Sequence, residues 1–208
     1  MTVDLTMDFA VGERFAPEII REEVALKSGL TSYTGVVYKI THDGMSGTYI
    51  DFPGHIAETD NGLYADNAPL DLIYRVPAQV IRLNRQSGSG AVSAADLSDA
   101  SGGKITAPAL VINALGELDP LDIEYRSVFL DDSAIDWIIG SGCRLLVSDI
   151  YESMALHGIF LKLFGAGITT VCMPVNLHKL PAGKVALSAL FAKMPGVSQL
   201  PCRLIAEF

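Results

Sequence analysis

Cysteine, histidine and basic residues are all scarce in this chain, and each scarcity closes a class of function. The three cysteines, Cys143, Cys172 and Cys202, are odd in number and lack CxxC spacing. That pattern excludes a disulfide framework and a zinc ribbon, and it predicts free thiols in a reducing cytoplasm. Only four imidazoles are available, His42, His55, His157 and His178, so any metal or acid/base site must be built from them. The balance of 15 basic against 24 acidic residues gives a net charge of -9. Such a surface repels nucleic-acid phosphates and leaves a small-molecule ligand as the expected partner. No apolar run is long enough to cross a bilayer, and the opening MTVDLTMDFAVGERF lacks the basic-then-apolar pattern of a secretory signal. Arg85 to Gly90 is glycine-rich but opens no strand-to-helix fingerprint, so no nucleotide site is assigned.

What the chain does have is apolar residues, 50% against 19% charged, over 208 residues. This is enough for one sizeable core, and residues 1–208 are expected to form a single domain. Alternating residues 3 to 9 predict a half-buried strand, and Ala16 to Lys27, with Pro17 near its start, predicts a short helix. Val36 to Thr41 and Val76 to Leu83 are strand candidates; the segment from Glu58 to Asn67 is polar and turn-rich, a candidate flap. Ser93 is a candidate N-cap for a helix over 93 to 100. Ala107 to Ala114 is a continuous apolar run, as in a strand covered on both faces. Asp131 to Gly140 predicts a helix, Arg144 to Asp149 a buried strand, Glu152 to Gly165 the longest helix, and Ile168 to Val175 a strand carrying Cys172. Lys184 to Phe191 and Arg203 to Phe208 complete the set. Strands alternating with helices in the second half, after a strand-rich first half, predict an α/β fold with a mixed central sheet.

The densest chemistry lies in Met45-Ser46-Gly47-Thr48-Tyr49-Ile50-Asp51-Phe52-Pro53-Gly54-His55. Tyr49 and Asp51, two apart, share a face of a strand, while Pro53-Gly54 turns the chain and carries His55 back toward them. The same residues also suit a plain turn with a capping aspartate and a surface histidine.

This stretch resembles the motif HxGTHxDxPxH of the cyclase family of hydrolases, which includes bacterial kynurenine formamidase and isatin hydrolase. Gly47, Thr48, Asp51, Pro53 and His55 match it. Elsewhere VDLT, RLLVSD, LFGAGITTVCMPVNLHKLP and PCR resemble family segments in the same order. The resemblance implies a swivelling β/β/α fold, a dimer or tetramer, and a divalent metal that activates water to hydrolyse an amide or lactam. It also exposes departures. Two metal-binding histidines of the motif fall on Met45 and Tyr49, the metal-binding glutamate falls on Cys172, and a further histidine falls on Phe160. His157 would lie one helical turn away, about 4.5 Å along the axis. A thioether and a phenol are poor substitutes for two imidazoles. No cofactor is therefore expected.

His55 holds the family's proton-transfer position, and Asp51 would orient it as the second half of an acid/base pair. Tyr49 is a candidate hydrogen-bond donor to an oxyanion, and Cys172 a candidate nucleophile or a small core residue. Met45, His157 and Phe160 are candidate substrate contacts. The leading expectation is a metal-independent enzyme acting on a small carbonyl compound by hydrolysis, cyclisation or dehydration. The alternatives are a non-catalytic binding or scaffold relative, and a zinc or manganese hydrolase whose site is rebuilt from Asp51, His55, His157 and Cys172.

Overall fold

The computed structural model describes residues 1–9, 16–103 and 105–208. In chain order, β1 (Thr2–Asp4), β2 (Glu18–Lys27), β3 (Ser32–Thr41) and β4 (Tyr49–Asp51) precede the short α1 (Leu70–Ile73). Then come β5 (Val76–Arg82), β6 (Gly90–Val92), α2 (Ala94–Ser101), β7 (Ala109–Asn113), β8 (Val128–Leu130), α3 (Asp132–Ser141) and β9 (Leu145–Ser148). The last elements are α4 (Ile159–Gly165), β10 (Thr169–Cys172), β11 (Gly183–Leu190), β12 (Gln199–Pro201) and β13 (Arg203–Glu207).

Among the described residues nine strands form one mixed sheet in the order β1-β13-β11-β5-β7-β9-β10-β4-β12. Its centre, β5-β7-β9-β10, is parallel, and antiparallel strands flank it on both sides. The fold is thus the mixed α/β class expected from the alternation of apolar runs and helical segments. β7 is buried at every position: Ala109 and Val111 face one core, Leu110 and Ile112 the other. The Leu110, Val111 and Ile112 side chains each contribute about 1.5–3 kcal/mol by leaving water. The second core is closed by Leu97 of α2, Ile135 and Ile138 of α3, and Ile159 and Leu163 of α4.

Helix ends follow local chemistry. Ser93 caps α2 in a reciprocal box with Asp96, and Asp131 accepts the Ala134 N–H at the start of α3. α3 runs to Ser141, one residue past the expected end at Gly140, and is capped by Gly142 in the left-handed conformation.

Two predicted helices are corrected. Residues 18 to 27 form β2, paired with β3 through ten consecutive positions from Glu18↔Thr41 to Lys27↔Ser32. The stretch has an apolar spacing a helix would accept. However, Ile19, Ile20 and Val24 are β-branched, and the partner strand, rich in Val, Tyr and Ile, supplies the pairing that decides.

The second correction concerns residues 152 to 158, which are not helical, leaving α4 to begin at Ile159. The Glu152 carboxylate accepts the backbone N–H groups of His157, Gly158 and Ile159 at 2.7, 3.1 and 2.9 Å. Leu156 and Gly158 take positive φ. A carboxylate on the first N–H groups of a helix is favourable by charge and by hydrogen bonding, so Glu152 starts α4 from outside it. α3, at ten residues, is the longest helix described.

The motif stretch does not continue β3 directly. A turn over residues 42 to 48 intervenes, with Gly47 at φ 63 and so close to the N-terminal segment that a Cβ there would meet Phe9 at 2.8 Å. Buried Thr48 then ties three segments, accepting the Met7 N–H and donating to the Met173 carbonyl, both at 2.7 Å. Residues 58 to 67 pack over Gly54 and are held by the Ala65 N–H to Val197 O bond at 2.9 Å. They cover the 53–55 turn.

Candidate active site

β4 is placed between β10 and β12, and that placement assembles the site. Tyr49 lies opposite Cys172 on one side and Pro201 on the other; Asp51 lies opposite Thr170 and Gln199. Because Tyr49 and Asp51 share a strand face, the phenol, the carboxylate and the Cys172 sulphur converge.

Asp51 is 2% exposed. One of its oxygens, Oδ1, accepts from Gln199 Nε2 at 2.7 Å, and Oδ2 accepts from the Cys172 thiol at 3.6 Å. Burial lifts its pKa to about 6, against the opposing pull of the nearby His55 and the Gln199 bond. Burial likewise pushes the Cys172 thiol and the Tyr49 phenol well up, helped by the Asp51 charge. Both therefore carry their protons at neutral pH. Cys172 is a hydrogen-bond donor to Asp51, and a protonated buried thiol is a poor nucleophile.

Asp51 and His55 do not touch; Gln199 bridges them. Its Nε2 stands 3.3 Å from His55 Nε2 while bonding Asp51, so the two amide protons serve one carboxylate and one imidazole acceptor. The His55 ring is solvent-exposed and meets Phe164 edge-on at 6.3 Å.

A cavity of about 230 Å³ opens beside this cluster. Tyr49, Cys172, Tyr151 and Phe160 form its floor, and the 120–128 loop its outer wall, with Leu121, Ile123, Tyr125 and Arg126. Tyr151 stacks on Phe160 at 5.0 Å, and its hydroxyl bridges the Leu146 and Val171 carbonyls of β9 and β10. Arg126 is the one cationic side chain among the described lining residues. It takes φ 54 and holds its guanidinium 5.0 Å over the Tyr125 ring. The acidic lining residues are committed elsewhere. Glu152 caps α4, and Asp149 accepts from Asn113 Nδ2 and from the Ala114 and Leu115 N–H groups, with burial lifting its pKa to about 6.

Of the residues singled out in the sequence, Tyr49, Cys172 and Phe160 line the cavity, and Asp51 lies directly behind Cys172. Met45 is half-buried and is not among the cavity's described lining residues. His157, outside α4, stacks on Phe129 at 6.2 Å in a separate depression with Asp131 and Asp132. The rebuilt metal set is therefore not assembled. Among the described residues no group of three or more His, Cys, Asp and Glu could hold an ion. The donors at the motif's ligand positions are one carboxylate and one protonated thiol, which do not fit a divalent metal that needs three or four. Gln199, Arg126 and Tyr151 carry no motif signal. Gln199 is marked only as a polar residue opposite Asp51 in a register that the sequence alone does not reveal.

All three cysteines are free and buried, and no helix among the described residues is long and apolar enough to cross a membrane. The fold has counterparts in solved structures. Isatin hydrolase A from Labrenzia aggregata bound to benzyl benzoate is 17% identical with a TM-score of 0.76, over 99% of this chain and 93% of that one. Isatin hydrolase A from Ralstonia solanacearum is 18% identical with a TM-score of 0.73, over 99% and 91%. A potential metal-dependent hydrolase with cyclase activity is 18% identical with a TM-score of 0.71, over 99% and 96%. At these identities the likeness is one of fold. No curated protein matches the sequence. The Cyclase family model matches residues 3–153, most of the chain, and the protein belongs to that family.

Proposed function

We propose that the protein is an enzyme acting on a small carbonyl compound that bears an acidic group, using acid/base chemistry without a divalent metal. The observation that carries this reading is the buried Asp51, held between Gln199 and the Cys172 thiol beside a cavity whose floor is Tyr49. A carboxylate with a pKa near 6 is a proton acceptor matched to neutral pH. Tyr49, kept protonated by burial, donates a hydrogen bond where a carbonyl oxygen gains charge, the electrophilic task a metal performs in a hydrolase. Gln199 positions Asp51 and His55 together, and exposed His55 exchanges protons with solvent. The aromatic walls and Arg126 select a flat, anionic substrate. Isatin hydrolases among the structural neighbours, by their name, act on a compound of the lactam class, and small lactams and amides are the first substrates to try.

A second reading is favoured by the position of both Asp51 and His55 outside the cavity lining, Asp51 behind Cys172 and His55 at the surface: a binding protein that holds such compounds without converting them. A panel of small amides and lactams with and without a carboxylate separates the two. The enzyme reading expects turnover of carboxylated members, and Arg126→Ala is expected to raise KM for them about 10–100-fold with kcat retained, the effect of losing one charge-assisted bond. Tight binding of the panel with no product formation establishes the second reading instead.

A further inference from the structure

We infer that Cys172 is a catalytic proton carrier, passing a proton from the cavity to Asp51; the inference rests on the enzyme reading above. Asp51 is the proton acceptor of that reading, yet it is 2% exposed and lies outside the described cavity lining, so a substrate in the cavity does not reach it. Cys172 is on the lining, and its sulphur stands 3.6 Å from Asp51 Oδ2. Among the described residues it is the one lining side chain hydrogen-bonded to Asp51. Register sets this contact: Cys172 lies directly opposite Tyr49 and diagonal to Asp51, the two positions at which cross-strand side chains meet.

The other buried proton-bearing groups of the lining are engaged elsewhere. Tyr151 bonds the Leu146 and Val171 carbonyls, and the Ser148 hydroxyl donates to the Ile150 carbonyl at 2.6 Å. Glu152 and Asp149 accept backbone N–H groups. Tyr49 hydrogen-bonds the Cys172 sulphur itself. The site is thus a chain of contacts: phenol to sulphur, thiol to carboxylate, and carboxylate to the Gln199 amide at 2.7 Å.

The step needs no further reagent. A proton leaves water, or an acidic position of the substrate, for a lone pair of Sγ while the S–H proton moves to Oδ2. One S–H bond breaks and another forms, so the sulphur ends as a thiol and Asp51 ends neutral. The released electron pair stays on the deprotonated oxygen or carbon, where it attacks the carbonyl carbon or delocalises into the carbonyl. The same transfers in reverse hand the proton to the departing nitrogen of an amide or lactam. A carbonyl oxygen that draws the Tyr49 phenol away from sulphur frees the lone pair this requires. Sulphur never carries a full negative charge, which burial would penalise, and forms no bond to carbon. A nucleophilic cysteine would need the thiolate; a proton carrier needs only the thiol.

Turnover of the panel of small amides and lactams by Cys172→Ala and Cys172→Ser tests this. Alanine is expected to lower kcat about 100-fold or more with KM little changed, and serine, whose hydroxyl passes a proton in the same two directions, to regain about tenfold or more of that loss. Infrared spectroscopy gives an answer that needs neither variant. Of the S–H stretching bands of the three free cysteines, that of Cys172, bonded to a carboxylate, should lie lowest. Asp51→Asn should raise it and leave the bands of Cys143 and Cys202 in place. Wild-type turnover that Cys172→Ala matches, a serine variant no faster than the alanine one, or S–H bands unmoved by Asp51→Asn overturns the proton-carrier role and leaves the enzyme reading standing. A wild type that binds the panel and converts none of it overturns both.

Discussion

Asp51→Asn is expected to lower kcat by about 10²–10⁴-fold, the usual contribution of a general base, with the protein still folded. Asparagine matches aspartate in shape. Its carbonyl can accept the Gln199 proton and its amide can face the Cys172 sulphur, so both contacts of the native carboxylate are kept while the proton acceptor is lost. The pH dependence has a definite sign. Burial raises the folded-state pKa to about 6, so the active carboxylate form accumulates as pH climbs through 6, and kcat should rise over pH 5 to 7 and then level.

Stability should move the other way. A carboxyl group whose pKa is higher in the folded state than in the unfolded one stabilises the fold while protonated. That contribution is complete below about pH 4 and is lost as pH rises through about 6. At pH 7 the ionised Asp51 is therefore a net cost to the fold. The asparagine variant escapes that cost, so urea unfolding at pH 7 should find it at least as stable as the wild type. An active site that trades stability for chemistry behaves in this way. Loss of activity together with unfolding would assign Asp51 a structural role.

Glu152→Ala is expected to destabilise the protein by about 3 kcal/mol, the largest effect foreseen outside the two cores. The side chain is 8% exposed and accepts four backbone N–H groups, those of Ser153, His157, Gly158 and Ile159. Alanine leaves these donors short of a partner and removes the charge from the start of α4. Because α4 carries Phe160, which floors the cavity, and Phe164, which supports His55, substrate affinity should fall with stability. Glu152→Gln should recover only part of the loss, since its amide turns a donor toward donors. Thermal unfolding of the three proteins, with KM on the folded fractions, measures both effects.

The same residue explains where sequence patterns lead and where they mislead. Leu156, Ile159, Phe160 and Leu163 have helical spacing, and local periodicity alone extends the helix back to Glu152. A buried carboxylate with several N–H donors in reach overrides that pattern, takes His157 off the helix, and removes it from the site. In residues 18 to 27 the override comes from β3, a partner that no local pattern reveals. By contrast, the buried strands β7, β9 and β10 are legible because residues covered on both faces leave no choice but apolar runs. Tyr49, Asp51 and Cys172 were also reachable, two of them through strand alternation and the third through resemblance to a ligand position. Gln199 and Arg126 lie 75 or more residues from the end of β4 at Asp51 with no motif of their own, and only tertiary folding brings them to it.

The central claim is that this cavity performs carbonyl chemistry with Asp51 and Tyr49 in place of a divalent ion. The most direct test is turnover of a small carboxylated lactam by protein dialysed against a chelator, with metal content measured on the same sample. Unchanged turnover in protein holding far less than one ion per chain is the predicted result. Turnover that disappears with the chelator and returns on adding zinc or manganese would contradict it.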